Sequence, residues 1–361
     1  MRTRVPSFSG RLLLADDVVE GTLDVEGGRV VAWREGEMEK HPTARGWIVP
    51  SPVNAHTHVA DAFARDLPGK PGTVAELVGP GGWKSTQLAA ASPQTVRSGI
   101  QRYVGEMAAI GTVRFADFRE GGVEGVRVLR AMQEDLPVEP IIFGRPRSNT
   151  FEPDEAAALL AAADGIGLSA RRDFADPAHV EEWAEACHRA RKPFALHASE
   201  AAEEDLEIIA TLEPAFVVHG TRASRDALSA LADASIPVVV CPRSNAHYGM
   251  KTPLDRMRAA GVAVAVGTDN GMLNTGDLLA ELARLKAWFP AVPTADLLRM
   301  ATTTARDLAG CPVRLPPRAG DAADFVVLPL EPFSAAASHK PGFAVPSAPT
   351  PVATPGGPGA P

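Results

Sequence analysis

Trp47-Ile48-Val49-Pro50-Ser51-Pro52-Val53-Asn54-Ala55-His56-Thr57-His58 decides the reading of this chain, because an apolar, strand-like run ends in two histidines at i and i+2. Residues two apart on an extended segment point to one side, so both imidazoles reach a single divalent ion from the strand's end. Further along, three more apolar runs stop on side chains of related chemistry: Phe194-Ala195-Leu196-His197, Phe216-Val217-Val218-His219 and Val264-Ala265-Val266-Gly267-Thr268-Asp269. One His-x-His alone is as readily structural. Imidazoles and a carboxylate repeated at successive strand ends read as a metal site.

Counting outward from these runs gives eight strand candidates, near residues 47–55, 111–117, 138–143, 165–169, 193–197, 215–219, 236–241 and 262–268. They alternate with helical stretches such as 177–191, with Trp183, Ala184, Cys187 and Ala190, and 276–288, with Leu278, Leu279, Leu282, Leu285 and Trp288 at helical spacing. Eight βα units predict the α/β class and a TIM (β/α)8 barrel over residues 50–318, whose strand ends meet on one face. Before it, Arg11–Leu14, Gly21–Val25 and Arg29–Trp33 are short β-like runs divided by turn signals, and Phe325–Leu328 is a late strand able to rejoin them. Residues 1–49 and 319–330 are therefore expected to form a small flanking β-sandwich. The stretch 331–361, dense in Pro, Ala, Ser and Gly, is expected to be disordered.

Composition removes several classes of function. The 361 residues hold 36 Lys plus Arg against 44 Asp plus Glu, a net charge of −8, which argues against partners such as nucleic acid or an anionic membrane. No apolar run approaches the roughly 20 residues that span a bilayer, and Met1 to Pro6 lacks the apolar core of a signal peptide. A cytoplasmic protein with a small-molecule substrate is the expectation, and a homo-oligomer is compatible with it. Cys187, Cys241 and Cys311 are widely separated and read as reduced thiols, forming neither a disulfide framework nor a thiolate zinc site.

In a barrel of this type His56, His58, His197, His219 and Asp269 converge. Three nitrogens from His56, His58 and His197 with one oxygen from Asp269 would surround a single ion and leave a position for water. An ion so held generates hydroxide near neutral pH.

The chain resembles the amidohydrolase superfamily, within it the mononuclear branch of cytosine deaminases and S-adenosylhomocysteine deaminases. The resemblance covers residues 7 to 330 and rests on His56-Thr57-His58, His197-Ala198-Ser199-Glu200, His219, Cys241-Pro242-Arg243-Ser244-Asn245 and Gly267-Thr268-Asp269-Asn270, in that order. It implies that His56, His58, His197 and Asp269 are the metal ligands, that Glu200 shuttles protons beside the metal-bound water, and that His219 orients and polarises that water. Asp269 would accept the water proton, while Glu200 protonates a ring nitrogen and helps return a proton to departing ammonia. A binuclear member would carry a bridging lysine after strand four. Here Gly165-Ile166-Gly167-Leu168-Ser169-Ala170 stands instead, so one Zn²⁺ or Fe²⁺ is expected.

The function so implied is hydrolysis of a C–N bond, most directly deamination of an amino-substituted heterocycle. Cyclic amide opening or dechlorination would use the same machinery, and from another class a catalytically silent metal-binding scaffold would keep the ligands alone. Glu200 and His219 favour an enzyme, since metal binding needs neither. Glu200 also fits the acidic first turn of a helix, among Glu203, Glu204, Asp205 and Glu207.

Substrate contacts are expected from Arg119, Glu120, Arg145, Ser244, Asn245 and Asn270, which follow the strands on the catalytic side. Arg119, Arg145, Arg147, Arg171, Arg172 and Arg243 together suggest an anionic group on the substrate, against ordinary pairing with neighbouring acids. Asp61 and Lys84, in the Gly/Pro-rich segment Asp61 to Gly99, are further candidates to approach the pocket, though nothing in the sequence places them. His247 faces the pocket or solvent with equal claim, whereas His41, His179, His188 and His339 read as surface residues. Gly165-x-Gly167-x-x-Ala170 mimics a dinucleotide fingerprint but is better explained by close backbone packing.

Overall fold

The run from Trp47 to His58 makes two strands, because proline has no N–H for a sheet ladder and Pro50-Ser51-Pro52 interrupts it. The strand before the break, β4 (Ala44–Pro50), pairs with β1 (Ser7–Leu13), and the strand after it, β5 (Val53–His58), begins a different sheet. The computed structural model describes residues 5–333 and the backbone of 343–344. Two compact units divide these residues: those up to Ser51 with Val313–Leu330, and Pro52–Pro312. Division after residue 49 and at 319 was the expectation. The second boundary falls earlier because Val313 and Leu315 pack on the small unit's apolar cluster of Phe8, Leu12, Leu23, Ile48 and Phe325.

In the small unit β1, β2 (Val18–Glu26) and β3 (Arg29–Glu35) form an antiparallel meander, as the turn signals predict. Phe325–Leu328 does rejoin it, pairing antiparallel with β4. The described strands make one six-stranded sheet, where two facing sheets were anticipated. Most of the stretch 331–361, His339 included, lies outside the described residues. Phe343–Ala344 departs from the expected disorder by pairing antiparallel with Val326 and Val327, because that strand's edge offers unpaired backbone groups.

The larger unit is mixed α/β. After β5 its parallel strands are β6 (Arg114–Arg119), β7 (Glu139–Gly144), β8 (Gly165–Leu168), β9 (Phe194–Ala198), β10 (Phe216–His219), β11 (Val238–Val240), β12 (Val264–Val266) and β13 (Asp269–Asn270). They follow one another around a curled nine-stranded sheet. Its two edge strands are halves of one segment: β12 pairs with β11, and only Gly267 and Thr268 separate it from β13, which pairs with β5. Glycine is required at the crossing, since a Cβ on Gly267 would lie 2.6 Å from the His56 carbonyl oxygen. Gly165 and Gly167 are likewise closely packed, against Phe143 and Phe118.

Alternate residues of these strands, Val53 and Ala55, Ala116 and Phe118, Phe216 and Val218, share one buried cluster. Burying each large side chain contributes about 1.5–3 kcal/mol. The helical stripes form in the main: Ala178–Ala190 buries Trp183, Ala184 and Cys187 together with Val180 but leaves Ala190 exposed, and Leu278–Trp288 buries Leu278, Leu279, Leu282 and Leu285 with Trp288 half-buried. Asp277 caps the latter by accepting from Ala280 N. No helix among the described residues is long and apolar enough to cross a membrane.

Candidate metal-dependent active site

Parallel pairing brings the strand ends together, and with them the side chains that terminate the apolar runs. His56 and His58 end β5, His197 lies in β9, and Asp269 opens β13 with Thr57 as its register partner. His58 Nε2 lies 3.3 Å from His197 Nε2 and 3.6 Å from Asp269 Oδ1. His56 Nε2 is 3.4 Å from the same oxygen. The carboxylate is fixed from behind by Ser244, whose hydroxyl donates to Asp269 Oδ2 at 2.5 Å.

Two observations test whether this set fits a cation. The first is hydrogen bonding: His56 Nε2 and Asp269 Oδ1 are buried and have no hydrogen-bond partner among the described residues, an arrangement that is costly unless a further group joins them. The second is charge. Burial pushes the His56 imidazole down to about 3 and the His197 imidazole well below its ordinary range, so both are neutral lone-pair donors. Burial alone would raise Asp269, but His56 and His219 beside it hold its carboxyl well below the usual carboxylate range. Neutral imidazoles around an ionised carboxylate are the state in which such groups bind a divalent ion. Ligand atoms of His219, Cys241 and Asp269 also lie within 4.8 Å of one another, but burial pushes the Cys241 thiol well up and keeps it protonated.

Glu200 and His219 flank the cluster, with His219 Nε2 3.6 Å from Glu200 Oε2. Burial pushes the Glu200 carboxyl up, with His219 pulling it the other way. His219 and Asp269 have φ of +78° and +56°, and Ser199, which precedes Glu200, has +50°. Such left-handed backbone in residues with a side chain costs on the order of 1–3 kcal/mol each and is characteristic of sites that aim a side chain.

The remaining expected contacts divide. Arg119 is a correction: its Nε donates to Gly125 O at 3.0 Å, so the guanidinium holds the turn after β6 and is buried there. Glu120 accepts from His58 Nδ1 at 2.6 Å, on the side of that ring away from His197 and Asp269. Asn245 Oδ1 accepts from Thr252, and Asn270 Oδ1 accepts from Lys84. Arg171 pairs with Glu181, Arg147 lies over Gly122 beside Glu155, and Arg243 is bound by Glu281. That leaves Arg145 and Arg172. The Arg145 guanidinium donates to Ser169 Oγ at 2.6 Å and acts on His197, while exposed Arg172 acts on Glu200.

His247 is exposed, and its neighbour Tyr248 is the residue the sequence did not single out. Tyr248 packs with Phe63, Trp83 and Leu273 about a small apolar cluster, its buried hydroxyl has no partner, and the Glu200 and Asp269 carboxylates both act on it. Lys84 and Asp61 also reach the site. Burial pushes Asp61 up to about 7 even with Lys84 at 3.2 Å. Only their position in the segment after the His-x-His run hinted at this.

Residues 47–347 match the model of the amidohydrolase family. A provisionally named aminohydrolase of Archaeoglobus fulgidus is 33% identical over 276 residues, covering 76% of this chain and 77% of its own. A 5-methylthioadenosine/S-adenosylhomocysteine deaminase of Halobacterium salinarum is 28% identical over 295 residues, 71% of this chain and 67% of its own. Among solved structures, an adenosine deaminase of Xanthomonas campestris with bound zinc superposes with a TM-score of 0.73 at 19% identity, covering 94% of this chain and 92% of that one.

Proposed function

This chain belongs to the amidohydrolase family, and from that premise we propose that it deaminates an amino-substituted heterocycle carrying an anionic group, using one divalent ion, Zn²⁺ or Fe²⁺. The reading takes the curled parallel sheet as a distorted (β/α)8 barrel. One observation carries the assignment: the unpartnered ligand atoms of His56 and Asp269, gathered with His58 and His197, stand beside an acid–imidazole pair, Glu200 and His219. The zinc deaminase of the same fold supports it.

His56, His58, His197 and Asp269 would hold the ion, which when bound supplies Lewis acidity and eases loss of a proton from water. Asp269 is ionised and can take that proton, while Ser244 fixes its orientation. Glu200, raised by burial, carries a proton to the ring nitrogen next to the carbon under attack. As the C–N bond breaks, the proton taken up by Asp269 passes to the departing amine, which leaves as ammonia, and the hydroxyl proton of the addition product returns to Glu200 as the C=O bond forms. His219 orients the attacking water and stabilises developing charge on its oxygen. Arg145, with donors to spare beyond Ser169, and Arg172 would bind the anionic group.

The test is ammonia release from amino-purines, pyrimidines and pterins with and without a carboxylate or phosphate, for wild type and Glu200→Ala. Turnover that Glu200→Ala lowers by about 10²–10⁴-fold is expected. Metal-loaded protein that turns over nothing, or a variant equal to wild type on every compound, would overturn the proposal.

A further inference from the structure

Behind His58 lies a buried ion cluster whose members come from three separate parts of the chain. Lys84 belongs to the helix Trp83–Ala90 in the segment between β5 and β6. Its Nζ is 2.5 Å from Glu120 Oε1 and 3.2 Å from Asp61 Oδ2, and it donates to Asn270 Oδ1 at 2.9 Å. The Lys84 side chain is only 7% exposed. The same Glu120 oxygen takes His58 Nδ1 at 2.6 Å, with Phe118 O at 3.1 Å from that nitrogen. Both neighbours of Nδ1 are acceptors, so Nδ1 carries the proton and Nε2 keeps its lone pair. Nε2 is the atom that faces His197 and Asp269.

The three imidazoles differ in what stands behind them. His197 Nδ1 meets the Leu168 carbonyl at 2.9 Å, and His56 Nδ1 has no partner among the described residues. Of the three, His58 has a carboxylate behind it. A carboxylate there fixes the tautomer, holds the ring plane and raises the donor strength of the opposite nitrogen. A bare Glu120 would be poorly held, buried near Asp61. Lys84 sets the position of its oxygen and compensates its charge.

We propose that Glu120 and Lys84 are positioning residues for the metal centre: Lys84 fixes Glu120, Glu120 fixes His58, and ion affinity thereby depends on the seating of the helix Trp83–Ala90, which contributes no ligand. This rests on the reading of His56, His58, His197 and Asp269 as ligands, and its test is independent of turnover. Full-length protein is stripped of metal and titrated with Zn²⁺ against a chromophoric chelator, and the visible spectrum of the Co²⁺-loaded form is recorded. Glu120→Ala weakens Zn²⁺ binding by about 10–100-fold. Lys84→Met weakens it in the same direction and shifts the Co²⁺ bands as Glu120→Ala does. In the Glu120→Ala background Lys84→Met adds nothing, because it acts through the missing carboxylate.

Unchanged affinity and Co²⁺ spectrum in folded Lys84→Met protein overturns the proposal, as does an additive loss in the double variant. If Lys84→Met fails to fold, Asp61→Asn/Lys84→Met removes one charge of each sign and gives the same reading. A wild-type chain without Zn²⁺ affinity would instead remove the metal site itself.

Discussion

Two buried ion clusters stand at the ends of the parallel strands, and they are built to different plans. Around Arg243 every group closes on its neighbour: the backbone N–H donates to Glu281 Oε2 at 2.8 Å, Nε to Oε1 at 2.7 Å, and the outer nitrogens to Thr275 and Asp277. Around Lys84 the network stops short. Glu120 spends one oxygen on Lys84 and His58, and its other oxygen is buried without a partner among the described residues. A cluster that satisfies itself ties the helix Leu278–Trp288 to the end of β11. The other ends on the His58 imidazole, next to the unpartnered atoms of His56 and Asp269. The distinction also separates two arginines, since Arg243 is closed by Glu281 whereas the Arg145 guanidinium, among the described residues, has Ser169 within hydrogen-bond distance and Glu120 at 3.9 Å.

The largest effect is expected at the proposed ligand set, on which the open cluster ends. Asp269→Asn keeps the shape but removes the charge facing His56 and His58, and with it the proposed acceptor for the water proton. A fall in kcat of at least about 10²–10⁴ is expected, together with lower metal content by elemental assay. Full activity with full metal loading would break the contrast at its strongest point.

Next comes the closed cluster. Glu281→Ala leaves the Arg243 guanidinium largely buried without its carboxylate, a change that costs about 3–5 kcal/mol. Chemical denaturation should show that loss while Zn²⁺ affinity of the folded protein holds. A variant that stays stable and loses metal would mean that the two clusters had been assigned to each other's roles.

The sequence disclosed these two regions unequally. His56, His58, His197, His219 and Asp269 were legible because each terminates an apolar run, and parallel pairing carries the ends of such runs to one place. The helices Ala178–Ala190 and Leu278–Trp288 were legible from their stripes. Lys84 was not, because the Gly/Pro-rich segment carrying it has no period to fix its direction, and its partners Asp61, Glu120 and Asn270 lie 23, 36 and 186 positions away. The arginines failed for another reason. Arg119 and Arg145 each directly end or follow a strand, and only the tertiary acceptors Gly125 O and Ser169 Oγ distinguish them. The strand run at 47–55 was misjudged because apolar character continues across Pro50 and Pro52 although hydrogen bonding cannot.

The smallest effect, and the one that sharpens the comparison most, is expected at Arg145. Its guanidinium is partly buried, donates once to Ser169, and acts on His197 without being drawn into a closed acid pair. If its spare donors serve the substrate, Arg145→Met removes one or two charged hydrogen bonds at about 1.5–3 kcal/mol each. KM for a carboxylate- or phosphate-bearing substrate then rises at least about tenfold, since 1.4 kcal/mol corresponds to one factor of ten. The neutral analogue keeps its KM, and kcat changes little for either. Arg145→Lys retains the charge but not the planar fork, and should fall between wild type and Arg145→Met. Because Arg145 also stands 3.9 Å from Glu120, zinc content is measured alongside, so that a disturbed His58 is not mistaken for a lost substrate contact. Equal losses on anionic and neutral substrates with zinc retained would place Arg145 with Arg243, as a brace, and the anionic substrate group would fall with it.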